Sequence, residues 1–177
     1  MNNSTIVKTL LLPSELATAG LAQQLAVSLI QHRIGLNACI TLDGELGVGK
    51  TTFVRHLLQA LGVTGRVKSP TYAVVEPYEV GAGSIWHFDF YRFNDPQEFE
   101  EAGFRDLFAS TGLKIAEWPN QAQGMLPAAD LQLTLTVDAQ EARHVQVLAS
   151  TLHGQQILQG LLAEIPPAST HHANATT

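Results

Sequence analysis

Gly44-Glu45-Leu46-Gly47-Val48-Gly49-Lys50-Thr51-Thr52 has the spacing glycine, four residues, then Gly-Lys-Thr, which suits a loop that wraps around phosphate. Its glycines let the backbone curl so that successive N–H groups point inward at phosphate oxygens, and the helix that follows adds its positive dipole end. In that arrangement Lys50 reaches the β- and γ-phosphates as a catalytic cation, and the Thr51 hydroxyl is a ligand for Mg²⁺.

Such a loop needs a carboxylate from elsewhere to place Mg²⁺ and water. Glu117, at the end of the apolar run Leu113 to Ala116, stands where that metal ligand belongs, although Asp is commoner there. Asp89 lies within His87-Phe88-Asp89-Phe90-Tyr91-Arg92, where aromatic neighbours make a carboxylate costly to bury unless it is paired, with Arg92 or His87 for instance. Ser69-Pro70-Thr71 follows the loop's helix at the distance of a switch segment, and its hydroxyls suit a γ-phosphate or Mg²⁺; the same residues also make an ordinary turn. Trp118 beside Glu117 can stack on an adenine or simply cover the core rim.

The elements that must position these groups read as an α/β fold. A strand Ile6 to Leu12 ends at Pro13. Ser14 caps a helix running to about His32, with Gly35 and Asn37 punctuating the chain after it. Ala38 to Leu42 is a buried strand entering the loop, and Phe53, Leu57, Leu58 and Leu61 mark the helix after it, stopped by Gly62. Tyr72 to Glu79 and Ile85 to Phe93 read as an antiparallel pair across Val80-Gly81-Ala82-Gly83, so the sheet is mixed. Asp95-Pro96-Gln97-Glu98 starts a helix that Gly103 interrupts. Leu113 to Trp118 is a further strand, Leu131 to Val137 and His144 to Ala149 a closing hairpin, and Leu158 to Ile165 a terminal helix. The expected organisation is a single-domain P-loop NTPase over residues 1–165, a mixed central sheet flanked by helices, with residues 166–177 as a disordered tail.

The 177 residues suit one core, and 45% hydrophobic with 15% charged residues describes an ordinary globular chain. A net charge of −6 with only ten basic residues argues against a broad nucleic-acid surface. The one cysteine, Cys39, excludes an internal disulfide and fits a reducing compartment. Leu10-Leu11-Leu12 is too short and unflanked for a signal peptide or a span, so a cytoplasmic location is the default. No Asn-Lys-x-Asp sequence reads guanine, and no arginine-rich lid of a nucleotide kinase is present. Self-association and the partner-binding surface cannot be read from the residues.

In order along the chain, the loop, Val67-Lys68-Ser69-Pro70-Thr71-Tyr72, His87-Phe88-Asp89-Phe90-Tyr91-Arg92 and Ile115-Ala116-Glu117-Trp118-Pro119 closely resemble the TsaE (YjeE) family, the bacterial ATPase of tRNA threonylcarbamoyladenosine synthesis. The resemblance covers roughly Pro13 to Val137 and extends to Asp95-Pro96-Gln97-Glu98-Phe99-Glu100. Val48 for the usual Ala and Phe90 for Leu are its departures, and neither removes a polar group. It implies that Lys50 and Thr51 of the Gly44 to Thr52 loop bind the phosphates of ATP and Mg²⁺, that Glu117 is the second Mg²⁺ ligand, that Trp118 packs on the adenine, and that Ser69 and Thr71 belong to a switch-like loop. It also implies that Asp89 serves hydrolysis and that the ATP cycle resets a partner pair, TsaD with TsaB, rather than transferring the threonylcarbamoyl group.

The leading expectation is an ATP hydrolase with slow turnover of its own, since no water-orienting Gln or arginine finger beyond Arg92 is evident and such groups are worth about 10³ to 10⁵ in rate. Two alternatives share the loop. One is a small-molecule kinase, which needs an acceptor site the sequence does not display; the other is an interaction module in which binding matters and cleavage does not.

Overall fold

In the computed structural model, which describes residues 5–31, 36–122, 124–139 and 141–163, the chain runs through β1 (Ile6–Leu12), α1 (Glu15–Gln31), β2 (Cys39–Asp43) and α2 (Lys50–Ala60). It continues through β3 (Val75–Val80), β4 (Gly83–Asp89), α3 (Pro96–Glu101), α4 (Phe104–Ala109) and β5 (Leu113–Glu117). A 3-10 turn at Pro119–Ala122 leads to β6 (Leu131–Val137), β7 (Arg143–Ala149) and α5 (Leu152–Ala163). The strands form one seven-stranded sheet in the order β1-β7-β6-β2-β5-β4-β3. Its centre is parallel, β6 beside β2, β2 beside β5 and β5 beside β4, while β3, β7 and β1 pair antiparallel toward the edges. The mixed α/β sheet is therefore as expected.

Side-chain alternation sorts the strands onto two faces. Ile40 and Leu42 of β2, Leu113 and Ile115 of β5, Ile85 of β4 and Leu131, Leu133 and Leu135 of β6 pack with α1, α2 and α5 in the larger core. On the other face Phe88 and Ala116 join Phe90, Phe93, Phe99 and Phe104 in a smaller aromatic core under α3 and α4. The same parity carries His87, Asp89 and Glu117 to the α2 face. Register then sets Asp89 opposite Glu117 at the C-terminal ends of adjacent parallel strands, with Leu42 on the other side of Glu117. Ligand sites of open α/β sheets form at that edge.

Four expected boundaries are corrected. The strand read from Tyr72 begins at Val75, because Val74 N–H donates to Pro70 O at 2.6 Å and Val74 adopts φ 65°, closing a turn over residues 71–73. The strand read through Phe93 ends at Asp89, whose carboxylate takes the Tyr91 N–H at 2.9 Å and turns the chain. The strand read to Trp118 stops at Glu117, since Trp118 is left-handed at φ 59°. The last helix starts at Leu152, six residues ahead of the expected Leu158, capped where Thr151 Oγ1 accepts from Gly154 N–H at 2.8 Å. Gly154 is admitted because α5 crosses so near the chain that a Cβ there would lie 1.9 Å from Asp130 O. The expected tail, residue Gly35 and the helix end at His32 lie outside the described residues.

Candidate functional site

Asp43 ends β2, and its carboxylate accepts the Gly44 N–H at 2.9 Å and the Asn120 amide at 2.7 Å, which fixes where the loop leaves the sheet. Gly44 is required there: its φ is 138°, and a Cβ would come within 2.3 Å of Leu135 O. Gly49 caps α2 at φ 111°. Arg143, at the start of β7, donates from Nε to Val48 O at 3.0 Å and packs beside Gly49, so the closing hairpin braces the loop from outside. Sequence reasoning passed over Arg143, because only the sheet order brings β7 near residue 48.

Lys50 opens α2 and turns back over the loop, donating to Gly44 O at 2.6 Å and Glu45 O at 2.9 Å, with its ammonium 3.7 Å from the centre of the Trp118 ring. The side chain is 4% exposed. Burial pushes its ammonium below the ordinary lysine range, against the pull of the Glu117, Asp43 and Asp89 carboxylates. Thr51 donates to Glu117 Oε2 at 2.9 Å, and Glu117 Oε1 meets His87 Nε2 at 2.8 Å with both residues removed from solvent.

Asp89 is the second hub. Its Oδ2 accepts from the Ser69 hydroxyl and from Thr71 Oγ1 at 2.8 Å, and its Oδ1 from Tyr91 N–H. The partners weighed from sequence are engaged elsewhere. His87 bonds Glu117, while Arg92 is exposed, with its guanidinium carbon 4.5 Å from the centre of the Tyr72 ring. A hydroxyl pair is sufficient compensation for a buried carboxylate when both are aimed at it.

Two clefts meet at this edge, and every site residue named from the sequence lines one of them. The larger, about 600 Å³, runs from Gly44, Glu45, Leu46, Gly47 and Val48 past Trp118 to residues 134–137 of β6. The smaller, about 250 Å³, is bounded by Gly49, Lys50, Thr51 and Thr52 on one side and by Ser69, Thr71, Asp89 and Glu117 on the other. Trp118, held against Tyr91 with ring centres 5.0 Å apart, lines both. The smaller cleft joins inward-curled loop backbone, an ammonium, hydroxyls and two carboxylates, a donor set for a phosphate with a divalent cation. Among the described residues no group of three or more His, Cys, Asp or Glu can hold a metal by itself. A cation here must complete its shell with phosphate oxygens and water, as Mg²⁺ does in phosphoryl-transfer sites.

The family model described as "Threonylcarbamoyl adenosine biosynthesis protein TsaE" matches residues 12–145. The chain is similar to tRNA threonylcarbamoyladenosine biosynthesis protein TsaE of Haemophilus influenzae, 37% identical over 147 residues that span 83% of this chain and 92% of that protein. It is also similar to the Bacillus subtilis protein of the same description, 34% identical over 62% of this chain and 68% of that one. A crystal structure of Bacillus subtilis YdiB superimposes with a TM-score of 0.73, covering 92% of this chain and 98% of the other at 22% identity, a likeness of fold.

Proposed function

The chain belongs to the TsaE family of threonylcarbamoyladenosine biosynthesis proteins, and on that premise we propose that it is an Mg²⁺-dependent ATP hydrolase serving the TsaD–TsaB transferase pair. The observation that carries the reading is the convergence of Lys50, Thr51, Ser69, Thr71, Asp89 and Glu117 on one small cleft.

In this reading the loop N–H groups and Lys50 bind the phosphates, so Lys50 leaves Gly44 O and Glu45 O when they arrive. Thr51 and Glu117 would hold Mg²⁺, which would supply charge neutralisation to the bound phosphates. Thr51 donates to Glu117 here, and His87 would keep that carboxylate oriented when the Thr51 hydroxyl leaves it. Asp89 accepts a proton from, or orients, an attacking water and ties Ser69 and Thr71 to the same event. Trp118 packs on the adenine at the mouth of the larger cleft.

No arginine lines the smaller cleft, which supports slow turnover in isolation and completion by the partner. A small-molecule kinase draws no support from the larger cleft, which is floored by the loop and β6 and offers no cationic side chain for an acceptor phosphate. Among the described residues no helix is long and apolar enough to cross a membrane, and a cytoplasmic site of action fits tRNA modification.

The test is single-turnover ATP hydrolysis by the purified chain with and without TsaD–TsaB, alongside recovery of the modified adenosine in reconstituted reactions. Stimulation by the pair, lost in Lys50→Ala, is the expected result. Fast hydrolysis alone, or phosphate transfer to a metabolite above the rate of hydrolysis, overturns it.

A further inference from the structure

A third groove, of about 520 Å³, shares Thr51 and Ser69 with the phosphate cleft and is otherwise lined by Arg55, Gln59 and residues 65–68. Thr51, Arg55 and Gln59 are four residues apart on α2 and so form one stripe of that helix. The facing wall is the segment that enters Ser69-Pro70-Thr71.

The groove is cationic in a chain that is not. The protein carries 16 Asp and Glu against ten Lys and Arg, yet residues 46–75 contain no carboxylate at all. Arg55 and Lys68 flank the groove from opposite walls, Arg66 stands beside Lys68, and none of its lining residues is acidic. Among the described residues none of these three cations enters an ion pair. Like charges gathered without counter-charge raise the cost of the free surface and favour an anion that fits between them.

The geometry points to this groove as the docking site for a short acidic segment of the protein partner, a proposal that rests on the partner-dependent cycle above. Arg55 and Arg66 present planar forks suited to carboxylates. Duplex or stem RNA is a poorer fit. Its phosphates recur densely along the axis, so an RNA seated here would carry most of them over a surface of net charge −6. A protein loop brings its carboxylates to the groove alone.

The shared residues give the groove its consequence. Thr51 bonds Glu117 and Ser69 bonds Asp89, so an anion seated between Arg55 and Lys68 adjoins both hydroxyls that phosphate and Mg²⁺ would claim. Partner docking and nucleotide occupancy are then energetically coupled, each changing the affinity for the other by the same factor.

The experiment measures affinity of the full chain for purified TsaD–TsaB, with ATP and Mg²⁺, at low and raised salt, for the native chain, Arg55→Gln/Lys68→Gln and Arg66→Gln. Binding of transfer RNA to the isolated chain is measured in parallel. Expected are a loss of about tenfold or more in affinity for the pair in the double variant, a smaller loss in Arg66→Gln, and a weaker salt dependence in both. Nucleotide affinity and intrinsic hydrolysis should stay as in the native chain, which also reports that the variants are folded. Undiminished binding of the variants to the pair overturns the groove while leaving the proposed function intact. No binding of the native chain overturns the partner reading itself. Loss confined to transfer RNA would assign the groove to nucleic acid and overturn the proposal.

Discussion

His87 Nε2 lies 2.8 Å from Glu117 Oε1, with His87 fully buried and Glu117 2% exposed. An ionised carboxylate only accepts, so Nε2 carries the shared hydrogen, and Nδ1 is buried with no hydrogen-bond partner among the described residues. A histidine tolerated on those terms serves the carboxylate rather than itself. His87→Leu should therefore raise the Mg²⁺ concentration needed for nucleotide binding by about 10- to 100-fold, with metal-free nucleotide binding little changed, and His87→Gln should recover part of the loss. A Mg²⁺ titration of nucleotide-dependent thermal shifts reads this; an unchanged Mg²⁺ requirement would reduce the pair to packing.

Asp89 holds Ser69, Thr71 and the Tyr91 N–H at once. In Asp89→Ala those donors lose their common acceptor, so the segment from 69 to 71 should exchange amide hydrogens faster. Hydrolysis should fall by about 10² or more, while nucleotide affinity changes only several-fold. Parallel hydrogen exchange and single-turnover kinetics separate the two roles. Equal losses of binding and rate would instead make Asp89 a nucleotide-binding group.

Trp118 is a tryptophan at φ 59°, backbone that costs about 1 to 3 kcal/mol where nothing holds it. What holds it here is the Lys50 ammonium over its ring and the Tyr91 ring, centred 5.0 Å away. Trp118→Ala should weaken binding of adenine nucleotides by about tenfold, the worth of one aromatic stacking contact, with Trp118→Phe between the two. Titration with a fluorescent ATP analogue is the measurement, and equal affinity in all three chains would exclude a base contact.

Gly154 sits inside α5, where intrinsic propensity favours alanine by about 1 kcal/mol. Gly154→Ala should nonetheless destabilise the protein by about 1 to 3 kcal/mol, because the added methyl meets the Asp130 backbone. Urea unfolding of the two chains decides it, and a stabilised variant would contradict the close approach of α5 to residue 130.

Cys39 is buried, and that burial, reinforced by the Asp130 carboxylate and eased by Lys114, pushes its thiol from 9.0 up to about 12. Below about pH 8 folded and unfolded chains both keep the proton, so the thiol adds no pH dependence there. As pH rises past 9 the unfolded thiol ionises and the folded one does not, so stability is lost progressively between 9 and 12. Cys39→Ala should lose about 1 kcal/mol less than the native chain between pH 8 and pH 10, read from urea midpoints. The native thiol should also resist alkylation at pH 8 until the protein is unfolded.

Much of the site was legible because its chemistry is local. The spacing from Gly44 to Thr51 fits one strand, one turn and one helix start, and Asp95 before Pro96 caps α3 through the Gln97 N–H, as its residue type requires. Where the reading failed, a local preference had been overruled at a distance. Phe90, Tyr91 and Phe93 favour a strand, but Asp89 turns the chain by taking the Tyr91 N–H, and is itself held by Ser69 twenty positions back. The helix read from Leu158 starts at Leu152, and it is Gly154 that lets α5 approach the Asp130 backbone just before β6.

The sequence by itself determined which groups are present and the form of the phosphate-binding turn, because hydrogen bonding and dipoles there act over a few residues. Only the tertiary structure decided how those groups are paired. The parallel register of β4 and β5 puts Asp89 opposite Glu117 and turns His87 to the same face, and the placement of β7 across β6 brings Arg143 behind Val48. Strand order and register follow from burying two apolar faces at once, a global condition that no short stretch of residues can express.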